Sequence, residues 1–171
     1  MNKIAIVLNG AGGVGKDTLC DIAARRFKVR NISTITPIKE IAAMGGWSGA
    51  KDDKSRKFLA DLKQLFVDYN DYPTNWAMAV YREFLPTDEQ ILFVHIREPE
   101  EIRKYVAATN GKAKALLIRG GERTRHTAYG NASDDGVENY VYDYYYVNDK
   151  PLEETESLFT ALMQQILDSE G

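Results

Sequence analysis

Gly10-Ala11-Gly12-Gly13-Val14-Gly15-Lys16 sets four glycines and a lysine in the spacing G-x-x-x-x-G-K. The chemistry such a segment serves is phosphate binding. Without side chains in the way, glycines let successive backbone N–H groups turn toward one anion. A helix beginning at the end of the segment adds its positive dipole end, and the lysine reaches the outer phosphates of a nucleotide. The pattern usually continues with Ser or Thr, whose hydroxyl meets Mg²⁺; here Asp17 stands there, followed by Thr18. A carboxylate and a hydroxyl are both hard oxygen donors, so Asp17 and Thr18 are the expected metal ligands. Asp17 also suits the first turn of a helix on dipole grounds alone. Gly10, Gly12, Gly13, Val14, Gly15, Lys16, Asp17 and Thr18 form the expected nucleotide site. A plain strand-to-helix turn is the competing account, and it needs neither four glycines nor the lysine.

Phosphoryl transfer is mostly positioning and charge neutralisation, so further cations are needed. Arg119-Gly120-Gly121-Glu122-Arg123-Thr124-Arg125-His126 supplies three arginines beside two glycines that permit hinging. By resemblance to the nucleotide kinases, which carry a closing lid at this place, residues 119–133 are the expected lid-like segment, with Arg119 and Arg123 as its catalytic cations; a solvated basic loop is the alternative. Lys39, Arg56 and Arg97 are the expected grip on a phosphorylated acceptor, for which guanidinium groups are suited. Arg56 sits in Lys51–Lys57, whose alternating charge also fits an exposed helix start. Trp76 either walls an acceptor pocket or packs a helix. The tyrosines from Tyr140 to Tyr146 read as strand alternation rather than base stacking. Asn148, in Asn148-Asp149-Lys150-Pro151, is expected near the donor base or in a simple turn. Cys20 reads as a small buried hydrophobe.

These residues need strands and helices to hold them. Lys3–Leu8 is a nearly continuous apolar run, as in a strand buried on both faces. Lys16–Phe27 follows as a helix with Leu19, Ile22, Ala23 and Phe27 on one face. Val29–Ile35 reads as a second strand, and Pro37 opens a helix that Gly45-Gly46 ends. Lys51–Tyr69 carries Phe58, Leu62, Leu65, Phe66 and Tyr69 at helical spacing, and Pro73–Phe84 continues as a helix. Gln90–Ile96 is a buried strand, Pro99–Ala108 a helix, Lys114–Ile118 and Asp143–Val147 two more strands, and an apolar stripe from Leu158 to Leu167 marks a terminal helix. Strands alternating with helices predict a three-layer α/β/α sandwich around a five-stranded, mainly parallel sheet. Its sites lie beyond the carboxyl ends of the strands.

Gly15-Lys16-Asp17-Thr18 resembles the phosphate loop of the deoxynucleoside monophosphate kinases, within the P-loop nucleoside and nucleotide kinases. Pro37-Ile38-Lys39 resembles that family's Pro-Leu-Lys segment, Arg56 its arginine at a charged helix start, and Trp76 a tryptophan before the third strand. Arg97 and Glu101 fit its Asp-x-Arg-x-x-x-Glu stretch, Asn131-Ala132-Ser133-Asp134 its His-x-Ser-Glu, and Asp143 with Asn148-Asp149 its closing segment. Two positions depart: His95 stands where the family has an aspartate, and Asn131 where it has a histidine. The resemblance implies ATP and Mg²⁺ as cofactors and a deoxynucleoside monophosphate as acceptor, bound by a helical region at about 37–85. A kinase of another small metabolite, such as dephospho-coenzyme A, and a nucleotide-binding module without transfer activity are the rival readings.

Composition narrows the partners. The chain has 171 residues, enough for one domain, and they are 44% hydrophobic. Its 22 Lys+Arg against 25 Asp+Glu give a net charge of −3, which provides no basic excess for a nucleic-acid backbone. No apolar run is long enough for a membrane span, and one cysteine excludes an internal disulfide. The expectation is a cytoplasmic single domain, residues 1–171, acting as monomer or homodimer on a small phosphorylated molecule.

Overall fold

A computed structural model describes residues 1–121 and 136–171. Its strands are β1 (Ile4–Asn9), β2 (Val29–Ser33), β3 (Ile91–His95), β4 (Lys114–Gly120) and β5 (Tyr144–Asn148). Its helices are α1 (Lys16–Ala24), α2 (Thr36–Met44), α3 (Asp53–Asn70), α4 (Tyr72–Phe84), α5 (Pro99–Ala108) and the terminal α6 (Leu152–Glu170). The five strands form one sheet in the order β2-β3-β1-β4-β5, and each pairing is parallel.

Every residue of β1 is buried, because helices cover both faces of the sheet and successive side chains serve opposite cores. Ile4, Ile6 and Leu8 join Phe93, Leu116, Ile118 and the apolar faces of α1 and α6. Ala5 and Val7 join Leu92, Val94, Ala115, Leu117 and the apolar faces of α4 and α5. The expected three-layer α/β/α architecture is the observed one. Among the described residues no helix is long and apolar enough to cross a membrane.

Element ends differ by a few residues for local reasons. Lys3 lies outside β1, and its ammonium donates to the Phe84 and Glu89 carbonyls. Asp143 precedes β5 instead of opening it: its carboxylate accepts from the Ala115 amide at 2.8 Å while its own amide donates to the Ala115 carbonyl at 3.0 Å. β4 continues to Gly120, two residues past the expected end. The larger surprise is α3. Asp52 caps it by accepting from the Ser55 amide at 2.7 Å, yet none of its eighteen residues is buried.

Candidate active site

The glycine loop joins β1 to α1 at the point where the sheet order changes direction, the crevice in which parallel sheets bind ligands. Gly10, Gly13 and Gly15 take φ values of +155°, +81° and +90°, conformations that side chains disfavour. A β-carbon on Gly10 would stand 2.5 Å from the Ile118 carbonyl oxygen, and one on Gly15 would stand 2.7 Å from the Asn148 amide nitrogen. Gly15 caps α1 without any side-chain hydrogen bond to the first turn, so the helix's leading N–H groups are left to the loop. The Lys16 ammonium arches over the loop, donating to the Gly10 carbonyl at 2.5 Å and the Ala11 carbonyl at 3.1 Å.

Asn9 anchors the loop's start. It is 1% exposed; its Oδ1 accepts from the Gly10 amide at 2.9 Å, and its Nδ2 donates to the Arg97 carbonyl at 3.0 Å and the Tyr142 hydroxyl at 2.9 Å. Tyr142 in turn donates to the Val137 carbonyl at 2.7 Å, and burial pushes its phenol up to about 12. Sequence reasoning passed over this pair. The available signal was a polar residue ending an apolar strand directly before the glycines.

His95 ends β3 beside Leu8 and Ser33. Its Nε2 lies 2.7 Å from the Asn31 Oδ1 and 3.7 Å from the Cys20 sulfur. An amide oxygen only accepts, so Nε2 carries the proton. Burial holds the imidazole down to about 4; Asp17 opposes this, and Lys16 and Arg97 add to it. His95 is therefore neutral at physiological pH, in a position where a carboxylate would be charged.

The remaining expected residues separate into two groups. Arg97 is exposed just past β3, at the sheet's carboxyl edge with Lys16 and Asp17. Asn148 donates from Nδ2 to the Val14 carbonyl at 2.9 Å, so it buttresses the loop from β5. Arg119 lies within β4 rather than after it, and its guanidinium forks onto Glu138 at 3.0 and 2.9 Å. It also stacks 4.6 Å from the Tyr145 ring centroid. Lys39 stands exposed on α2. Arg56 is exposed in the first turns of α3, paired with Asp53 at 3.3 Å. Trp76 is half-buried on α4 and packs against the second core. Arg123, Arg125, His126, Asn131 and the lid-like segment beyond Gly121 lie outside the described residues.

Asp17 and Thr18 are both exposed on the first turn of α1, so their oxygens are accessible to a cation at the loop. Among the described residues no three His, Cys, Asp or Glu side chains gather into a metal cage. A donor set of one or two hard oxygens fits Mg²⁺, which keeps several waters and is shared with substrate phosphates. A nitrogen donor such as His95 does not.

No family model matches the sequence, and no curated protein matches it. Solved structures do. A candidate kinase from Chloroflexus aurantiacus superposes with a TM-score of 0.57 at 16% identity, covering 99% of this chain and 98% of that one. A shikimate kinase from Bacteroides thetaiotaomicron gives 0.51 at 16% identity over 96% and 98% of the two chains. Another from Aquifex aeolicus gives 0.50 at 10% identity over 97% and 99%. At such identities the likeness shows the fold alone: a five-stranded parallel sheet with flanking helices.

Proposed function

We propose that the chain is a kinase that moves the γ-phosphoryl of ATP onto a small phosphorylated acceptor, with a deoxynucleoside monophosphate as the acceptor that the sequence resemblance implies. The observation that carries this reading is the glycine cradle with Lys16 arched across it at the head of α1. The loop amides and the α1 dipole bind the donor phosphates, and Lys16 draws negative charge toward the outer ones. Asp17 and Thr18 hold Mg²⁺ through oxygen. The ion these two residues would hold would supply positive charge to offset that of the donor phosphates.

Arg97, at the mouth of the crevice, grips the acceptor phosphate, with Lys39 and Arg56 approaching from the helical region 37–85. Arg119 supplies positive charge to the transferring group; it exchanges Glu138 for phosphate as substrates enter, and Arg123 adds a second cation. A monophosphate oxygen is already ionised near neutral pH, so transfer to it requires no general base. The neutral His95 accordingly serves as a fixed donor to Asn31 that shapes the floor of the site. The protein acts in the cytoplasm on small molecules.

A coupled assay with ATP, Mg²⁺ and a panel of nucleoside and deoxynucleoside monophosphates tests this directly, with dephospho-coenzyme A and sugar acceptors as comparators. Turnover with a monophosphate, abolished in Lys16→Ala without loss of the folded circular-dichroism spectrum, is the expected result. Nucleotide binding with no turnover on any acceptor points instead to the binding module. Turnover retained in Lys16→Ala removes the loop from the mechanism.

A further inference from the structure

α3 is the structure's second-longest helix and buries none of its residues. Its inward face is clear. Leu59, Leu62, Lys63, Phe66 and Val67 are half-buried, Phe66 packs on Tyr72 with ring centroids 5.4 Å apart, and Lys63 reaches Glu101 of α5 at 2.7 Å. Beside that face runs a second apolar stripe turned to solvent: Phe58 is 43% exposed, Leu65 66% and Tyr69 85%. At 100° per residue these three fall within about 40° of one another, so they form one continuous strip along the helix. Single exposed hydrophobics are ordinary, whereas an aligned strip marks a contact surface.

The charges bordering the strip indicate what meets it. Lys54 and Lys57 lie beside its amino-terminal end, Asp61, paired with Lys57 within the helix, lies near its middle, and Asp68 lies toward its carboxyl-terminal end, all four exposed and on the same side. We propose that this face binds the same face of a second copy of the chain, the two α3 helices crossing antiparallel about a two-fold axis. In that arrangement the same flanks meet, so Lys54 and Lys57 of each copy oppose Asp68 of the other, while Phe58, Leu65 and Tyr69 interleave between them. A parallel two-fold pairing would set this flank of each copy against the other copy's opposite flank, and these charges would not meet. The surface is thus self-complementary in the isologous sense that a two-fold dimer requires. A single pair of helices about 27 Å long lies at the small end of specific interfaces, so the dimer forms in the micromolar range, Kd roughly 1–100 μM.

Sedimentation velocity on the full chain over that concentration range tests the proposal. Wild type is expected to pass from monomer to dimer. Leu65→Glu, which places a charge in the strip, is expected to raise the dimer Kd by more than about tenfold. The decisive arm uses two charge-reversed chains, Lys54→Glu/Lys57→Glu and Asp68→Lys, with melting curves showing that both remain folded. Each alone should be monomeric, and an equimolar mixture should restore dimer. A monomeric wild type at the highest concentration, a dimer indifferent to Leu65→Glu, or a mixture that stays monomeric overturns the proposal.

Discussion

Gly15 combines φ +90° with an Asn148 amide nitrogen 2.7 Å from where a β-carbon would sit. Gly15→Ala therefore strains the backbone and pushes Asn148 off the Val14 carbonyl at once. The expected cost is about 1–3 kcal/mol of unfolding free energy, measured by urea titration, together with a weakened nucleotide Kd by calorimetry. An unchanged Kd would show that the loop amides do not form the site. His95 makes a prediction in pH. The unfolded chain accepts a proton near 6.5 and the folded one only near 4. Between those values the unfolded state binds more protons, so stability rises with pH through the window and falls on acidification. The full window is worth about 3 kcal/mol, and about 2 kcal/mol of it is lost by roughly pH 5. His95→Gln keeps a polar group for Asn31 and does not titrate, so its stability should fall less between pH 7 and about pH 5 by that difference. Equal slopes in the two proteins would exclude His95 as the titrating group.

Helix α3 depends on few anchors, and Lys63–Glu101 is the most enclosed of them, with side-chain exposures of 16% and 7%. Glu101 Oε1 has no hydrogen-bond partner, so the carboxylate relies on Lys63 for its compensation. Lys63→Met should cost about 3 kcal/mol by urea denaturation, and Lys63→Met/Glu101→Met should recover most of it, because an unpaired buried charge is worse than none. A double variant no better than the single one would mean that Glu101 is compensated from elsewhere. The same helix shows what the sequence could and could not reveal. Apolar runs identified β1, β3 and β4, alternation among the tyrosines marked β5, and the limits of α5 were legible to the residue, with Pro99 opening it. In α3 the periodicity of Phe58, Leu62, Leu65, Phe66 and Tyr69 revealed an apolar helix, but a period carries no information about what covers each face. The partners that define the site were hidden for a related reason. Glu138 under Arg119, Asn31 beside His95 and Tyr142 on Asn9 are brought together by parallel strand register and crossovers, which no local spacing encodes. The glycine loop escaped this limit because its conformation resides in one contiguous stretch of backbone.

The proposed nucleotide site is built onto the first of the two cores, so on that proposal ligand binding and the stability of that core are one equilibrium. Val14 of the loop packs with Leu19 and Cys20 of α1, with Ile6 and Leu8 of β1, and with Phe159 and Met163 of α6. Cys20 is the chain's one cysteine, and it is 2% exposed. Burial pushes its thiol up to about 12, with Asp17 and Asp21 adding and Lys16 opposing. Since the thiolate is the nucleophile, alkylation at mildly alkaline pH requires α1 to lift from the sheet. A ligand held by the loop amides and the head of α1 binds only the closed form, and it raises the free energy of opening by RT ln(1 + [L]/Kd). At a nucleotide concentration near 100 times Kd, iodoacetamide labelling of Cys20 should slow about 100-fold, followed by mass spectrometry under conditions where reclosing outpaces alkylation. In Lys16→Ala, whose site no longer holds the outer phosphates, the slowing should largely disappear. A labelling rate indifferent to nucleotide in the wild type, at a concentration where calorimetry shows binding, would separate the site from the core. It would place the ligand on a part of the molecule that opens independently of α1.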